Sequence, residues 1–250
     1  MKRTTLPLFL GAVVLLAIAT FAYRQVLKRK HVAAVAQYNF GVSYGHADQT
    51  DNAIEAFQQA IKLQPDFYEA WYNLGLAYWK AGRSNEAVAA YERTVKLEPK
   101  AVPAWQNLEV YYFKAGRTNE AISTIQQALK LSPDDPKAAK EWFLLAVCYE
   151  SVGRANDGVA AYEHAIKLKP DFAEALVNLG IAQGKVGQME VAIGNFQKAT
   201  KLKPGFVDAW YNLGVAYTKQ GKSDRAREVL HELQSLDEVR AKKLEDIINE

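Results

Sequence analysis

Residues 71–78 read Trp71-Tyr72-Asn73-Leu74-Gly75-Leu76-Ala77-Tyr78, and the same frame returns as Trp210-Tyr211-Asn212-Leu213-Gly214-Val215-Ala216-Tyr217. Working outward from this stretch, Pro65, Pro99, Pro133, Pro170 and Pro204 recur at a step of 34 residues with a single step of 37, and Gly82, Gly116, Gly153, Gly187 and Gly221 do the same. Trp71, Trp105, Trp142 and Trp210 keep that phase, with Leu176 in the gap, and Tyr44, Tyr78, Tyr112, Tyr149 and Tyr217 follow. A fixed period of this length is the mark of a repeat architecture. Within one period, Trp71, Leu74, Gly75 and Tyr78 lie at helical spacing, as do Ala87, Val88, Tyr91 and Val95. A glycine turn separates the two stretches and a proline ends the second. Each period is therefore a helical hairpin. Gly75 and Ala87 are small so that its two helices approach closely, and Trp71, Tyr78 and Tyr91 fill the space around that contact.

The run from Trp71 through Tyr78, with Gly82, Ala87, Tyr91 and Pro99, resembles the tetratricopeptide family nearly place for place. The repeat spacing gives an all-α chain of six 34-residue hairpins over residues 34–240, as units 34–67, 68–101, 102–135, 139–172, 173–206 and 207–240. The resemblance implies an α-solenoid whose concave face is lined by the first helix of each hairpin. The 37-residue step falls at residues 134–138 and predicts a joint that bends the array into three plus three. Ala146 and Gly158 exchange the usual glycine and alanine places, and Gly184 and Gly194 are added helix glycines, so units four and five are expected to be the softer half. Residues 241–250 continue the phase, with Leu244, Ile247 and Ile248 placed to form a charged capping helix on the open end.

Ahead of the repeats, residues 1–5 form a basic tail and residues 4–23 carry no charge. As a helix at about 1.5 Å per residue, that apolar stretch spans roughly 30 Å, the thickness of a bilayer core. Residues 6–23 are read as a transmembrane helix or uncleaved signal anchor and residues 24–33 as a basic juxtamembrane helix. The alternatives are a cleaved signal peptide, with Ala17 and Ala22 near small-residue cleavage sites and a secreted product, and a buried soluble helix. Arg24, Lys28, Arg29 and Lys30 after the span lean the repeats towards the cytoplasmic side of a single-pass membrane protein.

The charge of the chain has the same origin. Its net +3 comes from 31 basic and 28 acidic residues, but Lys2, Arg3, Arg24, Lys28, Arg29 and Lys30 precede Ala34. From Ala34 onward the balance is negative, which removes the support for nucleic-acid binding. One cysteine, Cys148, excludes an internal disulfide framework. His31, His46, His164 and His231 have no second ligand at metal-site spacing, and no phosphate loop or nucleophile motif is present. The acidic residues are expected on solvated helix faces. Neither cofactor nor metal is expected, and the chain is read as non-enzymatic.

The resemblance places a partner-binding groove on the first helices. Asn39, Asn73, Asn107, Asn178 and Asn212 share one place, a column that resembles the asparagine ladder of the O-GlcNAc transferase repeats, where amides grip an extended peptide backbone. The alternative is that Asn is merely common there. Tyr72, Phe143 and Tyr211 lie beside the column, Leu76 and Val110 one turn on, and Lys80, Lys114, Lys185 and Lys219 edge the surface. Apolar floor and basic rim together favour segments mixing apolar and acidic residues. The carboxylate clamp of some relatives is not matched, because aromatic and aliphatic residues stand where Lys and Asn belong. The expected function is a protein–protein interaction scaffold at a membrane that binds extended segments of partner proteins; the alternative is a self-associating structural subunit or coat, hence a homo-oligomer.

Overall fold

A computed structural model describes residues 6–133 and 138–249, with side chains from Leu16 onward except Ala17. All the regular structure among them is helical. The helices are α1 (Leu6–His46), α2 (Thr50–Leu63), α3 (Tyr68–Lys80), α4 (Ser84–Leu97), α5 (Val102–Lys114), α6 (Thr118–Leu131) and α7 (Ala139–Ser151), followed by α8 (Ala155–Leu168), α9 (Ala173–Lys185), α10 (Met189–Leu202), α11 (Val207–Lys219), α12 (Ser223–Leu236) and α13 (Glu238–Asn249). They form two compact units, residues 1–108 and 109–250, with the division inside α5. The expected joint lies elsewhere, at residues 134–138, of which 134–137 are outside the described residues.

The hairpin is made by one turn and one contact. Gly82, at φ +74°, ends α3 in the left-handed region, where a side chain would be strained. Its neighbour Arg83 donates its N–H to the Tyr78 carbonyl at 2.9 Å, the bond of a Schellman cap. Arg83 then lays its guanidinium over the Tyr78 ring and pairs with Glu86 at 2.9 Å. Arg117 and Arg154 repeat the arrangement on Tyr112 and Tyr149. Past the turn, α4 returns against α3 so closely that a Cβ on Gly75 would stand 2.5 Å from the Tyr91 ring. Phe57 covers Gly41 and Phe196 covers Gly180 in the same way.

Neighbouring hairpins are tied by polar and apolar contacts. Gln58 donates to the Tyr78 hydroxyl at 2.8 Å, and Gln126 and Gln197 do the same to Tyr149 and Tyr217. The indole N–H groups of Trp71, Trp105 and Trp210 donate to the carbonyls of Pro65, Pro99 and Pro204, which holds the bend between hairpins. At the C-terminal end, α13 begins at Glu238, three residues ahead of the expected cap. Leu244 is fully buried and fills the space over Gly214 that an aromatic ring takes elsewhere.

Helix α1 runs from Leu6 to His46 without a break between the expected membrane span, the basic stretch and the first repeat helix. Its described side chains up to Ala33 are all exposed, Leu16, Ile18 and Phe21 by 60% or more. Among the described residues no helix is long and apolar enough to cross a membrane. Most of the expected span, residues 6–15 and 17, has side chains outside the described set.

The two expected irregularities have different physical outcomes. In the fourth repeat the glycine has moved to Gly158, where a Cβ would meet Glu150 Cγ at 3.3 Å and the Ala146 carbonyl at 3.4 Å, so the exchange with Ala146 moves the close approach to the second helix in a looser form than at Gly75. Gly194, inside α10, has open space around it. Gly194→Ala is accordingly expected to raise stability by about 0.5–1 kcal/mol. Gly75→Ala, which forces the buried Tyr91 ring aside, is expected to lower it by about 1–3 kcal/mol. Urea unfolding followed by circular dichroism measures both, and equal effects would contradict the packing account.

Candidate functional site

The first helices bring part of the expected groove together. In the N-terminal unit, Asn73, Leu76 and Lys80 line a cavity of about 250 Å³ with Gly41, Val42, Gly45 and Phe57. The other unit holds a cavity of about 230 Å³ lined by Asn212, Val215, Lys219, Gly180, Ile181, Gly184 and Phe196. These residues stand at the same repeat places, so one notch is built twice. Its floor is the ring that covers the hairpin glycine. Its mouth is opened by Gly45 and Gly184, at a place where other repeats carry Trp79 and Phe113.

Other expected residues are placed differently. Val110 and Lys114 are exposed and line neither notch, and Asn39 is exposed. Phe143 is half-buried, its ring 5.1 Å from Phe172 and 5.7 Å from Tyr162. Asn178 is half-buried and bonded to the Tyr162 hydroxyl, whose pKa is raised above its ordinary value chiefly by burial. Asn107 is half-buried on α5.

The asparagine amides have work of their own. Asn73 Nδ2 donates to the Glu69 carbonyl at 2.9 Å and to the Tyr38 hydroxyl at 3.2 Å, and Asn212 Nδ2 donates to the Asp208 carbonyl at 2.7 Å. Both amide hydrogens of Asn73 and one of Asn212 are thus engaged, which leaves the amide oxygens as the acceptors that the two notches share. The basic rim is also partly neutralised within the chain. Lys80 pairs with Asp48, and Lys185 pairs with Glu150 at 3.1 Å.

A third cavity, of about 570 Å³, went unread in the sequence. Tyr38, Tyr68, Tyr72 and Asn73 line it with Glu69, Thr94, Glu98, Lys100, Ala101, Pro103 and Ala104. The Tyr68 hydroxyl bonds the Glu69 carboxylate, and that bond, before the charges of Glu69 and Glu98, raises the tyrosine's pKa. The available signal was an acid three residues ahead of a tyrosine, Glu69 before Tyr72 and Asp208 before Tyr211, at equal phase.

One acidic residue corrects the expectation that all of them are solvated. Glu109 occupies the small-residue place of the third repeat, is only 6% exposed, and has one carboxylate oxygen with no hydrogen-bond partner among the described residues. Burial, and then the charge of Glu141, pushes its pKa up to about 8. The facing Cys148 thiol is pushed up to about 11, by burial and then by Glu109, so it is not an activated nucleophile. The repeat period makes the room: the ring that covers Gly75 is replaced here by the smaller Ile125.

The comparisons with known proteins fit this geometry. Family models described as tetratricopeptide repeat match residues 38–102, 110–171 and 208–237, and one described as TPR repeat matches 185–221. The chain belongs to the tetratricopeptide repeat family. No curated protein matches this tetratricopeptide chain. Among solved structures, it is similar to YrrB, described as a TPR protein with an unusual peptide-binding site, at 21% identity over 78% of this chain and 100% of that one, with a TM-score of 0.67. It is similar to MamA at 26% identity, over 68% of this chain and 97% of that one, with a TM-score of 0.61. Pseudomonas aeruginosa pilF shares 13% identity over 87% and 98%, with a TM-score of 0.59.

The buried carboxyl gives a pH signature. A folded-state pKa above the unfolded one means that the folded protein binds more protons, so stability falls as pH rises from about 4.5 to about 8. Glu109→Gln, which keeps the shape without the charge, is expected to flatten that slope and to stabilise the protein at pH 8 by on the order of a few kcal/mol. Unfolding midpoints across this range test it, and a variant that keeps the slope of the native chain would refute the assignment.

Proposed function

We propose that this chain is a non-enzymatic scaffold that binds extended segments of partner proteins along the first helices of its tetratricopeptide hairpins, while α1 holds it at a membrane. The observation that carries the binding role is the notch built twice from equivalent residues, with Asn73 in one copy and Asn212 in the other. A cavity with an apolar floor and a backbone-reading amide suits an extended segment, which offers a side chain to the floor and a backbone N–H to the amide oxygen beside it. The same fold carries a peptide-binding site in YrrB. The partly neutralised rim makes the apolar floor the larger contribution to affinity and leaves the lysines to set orientation.

Membrane attachment rests on the apolar run from Leu6 to Tyr23, the exposed apolar side chains of α1 beyond it, and the basic cluster that follows. A surface of that kind is covered by lipid or protein in a native setting. The basic cluster points the repeats towards the cytoplasm.

Two experiments test these readings. Gly45→Trp with Gly184→Phe fills both notches with the side chains that other repeats carry, and open space or ordinary contact surrounds each site, so folding is expected to be kept. Partner capture from native membranes is expected to fall about tenfold or more, the loss typical of a filled anchor pocket. Undiminished capture by the folded double variant would overturn the groove. For the tether, the full chain is expected to float with liposomes in a density gradient and a chain lacking residues 1–30 to remain at the bottom. Equal behaviour of the two would overturn the anchor.

A further inference from the structure

The chain carries an acid at the second place of three of its first helices, Glu69, Glu174 and Asp208. Two of them are met by a cation of the chain itself. Glu174 pairs with Lys203 at 3.2 Å. Asp208 pairs with Arg240 of the capping helix at 2.8 Å, and the same guanidinium lies over the Tyr211 ring, 5.2 Å from its centroid. Asp237 completes that corner by accepting the Arg240 backbone N–H at 2.9 Å.

Glu69 belongs to the same construction. Tyr72 stands where Tyr211 stands, and Glu98 where Asp237 stands. The cation is missing: the place of Lys203 is taken by Glu98, and the residue as far beyond Tyr72 as Arg240 is beyond Tyr211 is Ala101. In place of a guanidinium there is the cavity of about 570 Å³ bounded by Tyr38, Tyr68, Tyr72, Glu69, Glu98 and Ala101. Neither carboxylate forms an ion pair among the described residues, and Lys100 reaches Glu98 through its backbone N–H, at 3.0 Å.

We propose that this cavity is a receptor for an arginine side chain of a bound partner segment, seated as Arg240 is seated at the other end of the chain. Three aromatic rings and two carboxylates are complementary to a planar cation, which stacks on a ring face and presents paired donors to an oxygen acceptor. Lysine offers a point charge without the plane. The inference deepens the groove reading and rests on it, since Tyr72 and Asn73 belong to both. It adds a selectivity that the notches lack: they select apolar side chains, and this pocket selects a base beside them.

The test uses the full chain in detergent and a capped peptide, acetyl-Ala-Ala-Arg-Ala-Ala-amide, against the same peptide with citrulline, which is isosteric and uncharged. Titration is followed by the ring resonances of isotope-labelled tyrosine. The arginine peptide is expected to shift Tyr38, Tyr68 and Tyr72 and to bind about tenfold or more tightly than the citrulline peptide, the scale of a charge-assisted hydrogen bond. Glu69→Gln with Glu98→Gln is expected to remove that preference. Ala101→Arg, which supplies the cation from within, is expected to abolish binding, with Lys100→Ala changing affinity by no more than about twofold. Equal binding of the two peptides, or a preference that survives the double glutamine variant, overturns the proposal. A large gain from Lys100→Ala would show that the chain already fills its own pocket and overturns it as well. If the notch-filling variants abolish partner capture while the two peptides bind equally, the groove stands and the arginine receptor falls.

Discussion

Everything in this molecule depends on how near the two helices of a hairpin can come. At Gly75 the gap is too small for a methyl group, because the Tyr91 ring lies where the Cβ would be. That contact turns two amphipathic helices into a slab with an apolar surface on each side, and neither surface is covered until the next hairpin stacks on it. The floor of each notch is the same ring seen from the groove. Hairpin packing and the cavity floor thus share one residue, and a substitution that loosens the hairpin also reshapes the cavity above it.

The exceptions show that the constraint applies to total volume and not to residue type. In the fourth repeat the small residue changes helix, from the place of Gly75 to Gly158, and the approach there is looser, with the nearest atom 3.3 Å from where a Cβ would stand. Over Gly214 the ring is replaced by Leu244, from the capping helix. Only the third repeat places a charged side chain at the contact, and there Ile125 stands in for the ring. Glu109 is buried beside Glu141 and Cys148 by this exchange, which explains why its proton is held so tightly.

The helical architecture was legible because period, turn glycine and hairpin contact all point to the same hairpin, and each is a local feature. The notches were half legible: the residue types at Asn73, Leu76 and Lys80 are evident in the repeat phase, but their enclosure depends on Gly45, whose meaning lies in what it lacks. Ion pairs were not legible. Lys80 reads as a free rim charge until Asp48, on the preceding turn, is seen to meet it. The tyrosine and carboxylate cavity escaped for a similar reason, since it gathers residues from three repeats at places that the repeat pattern leaves unspecified. Glu109 could have been read, because its phase is that of Gly75.

Helix α1 joins the apolar N-terminal run to the first repeat with no interruption over 41 residues. A helix of that length reaches about 60 Å. A flexible leash would let the repeats tumble and would present their binding surface in every direction. A continuous helix acts instead as a mast: Tyr38 and Asn39 turn with the segment that precedes them, and a tilt or rotation at one end is felt at the other. In the proposed tethered scaffold, the direction from which a partner arrives is set by the angle at which the mast stands.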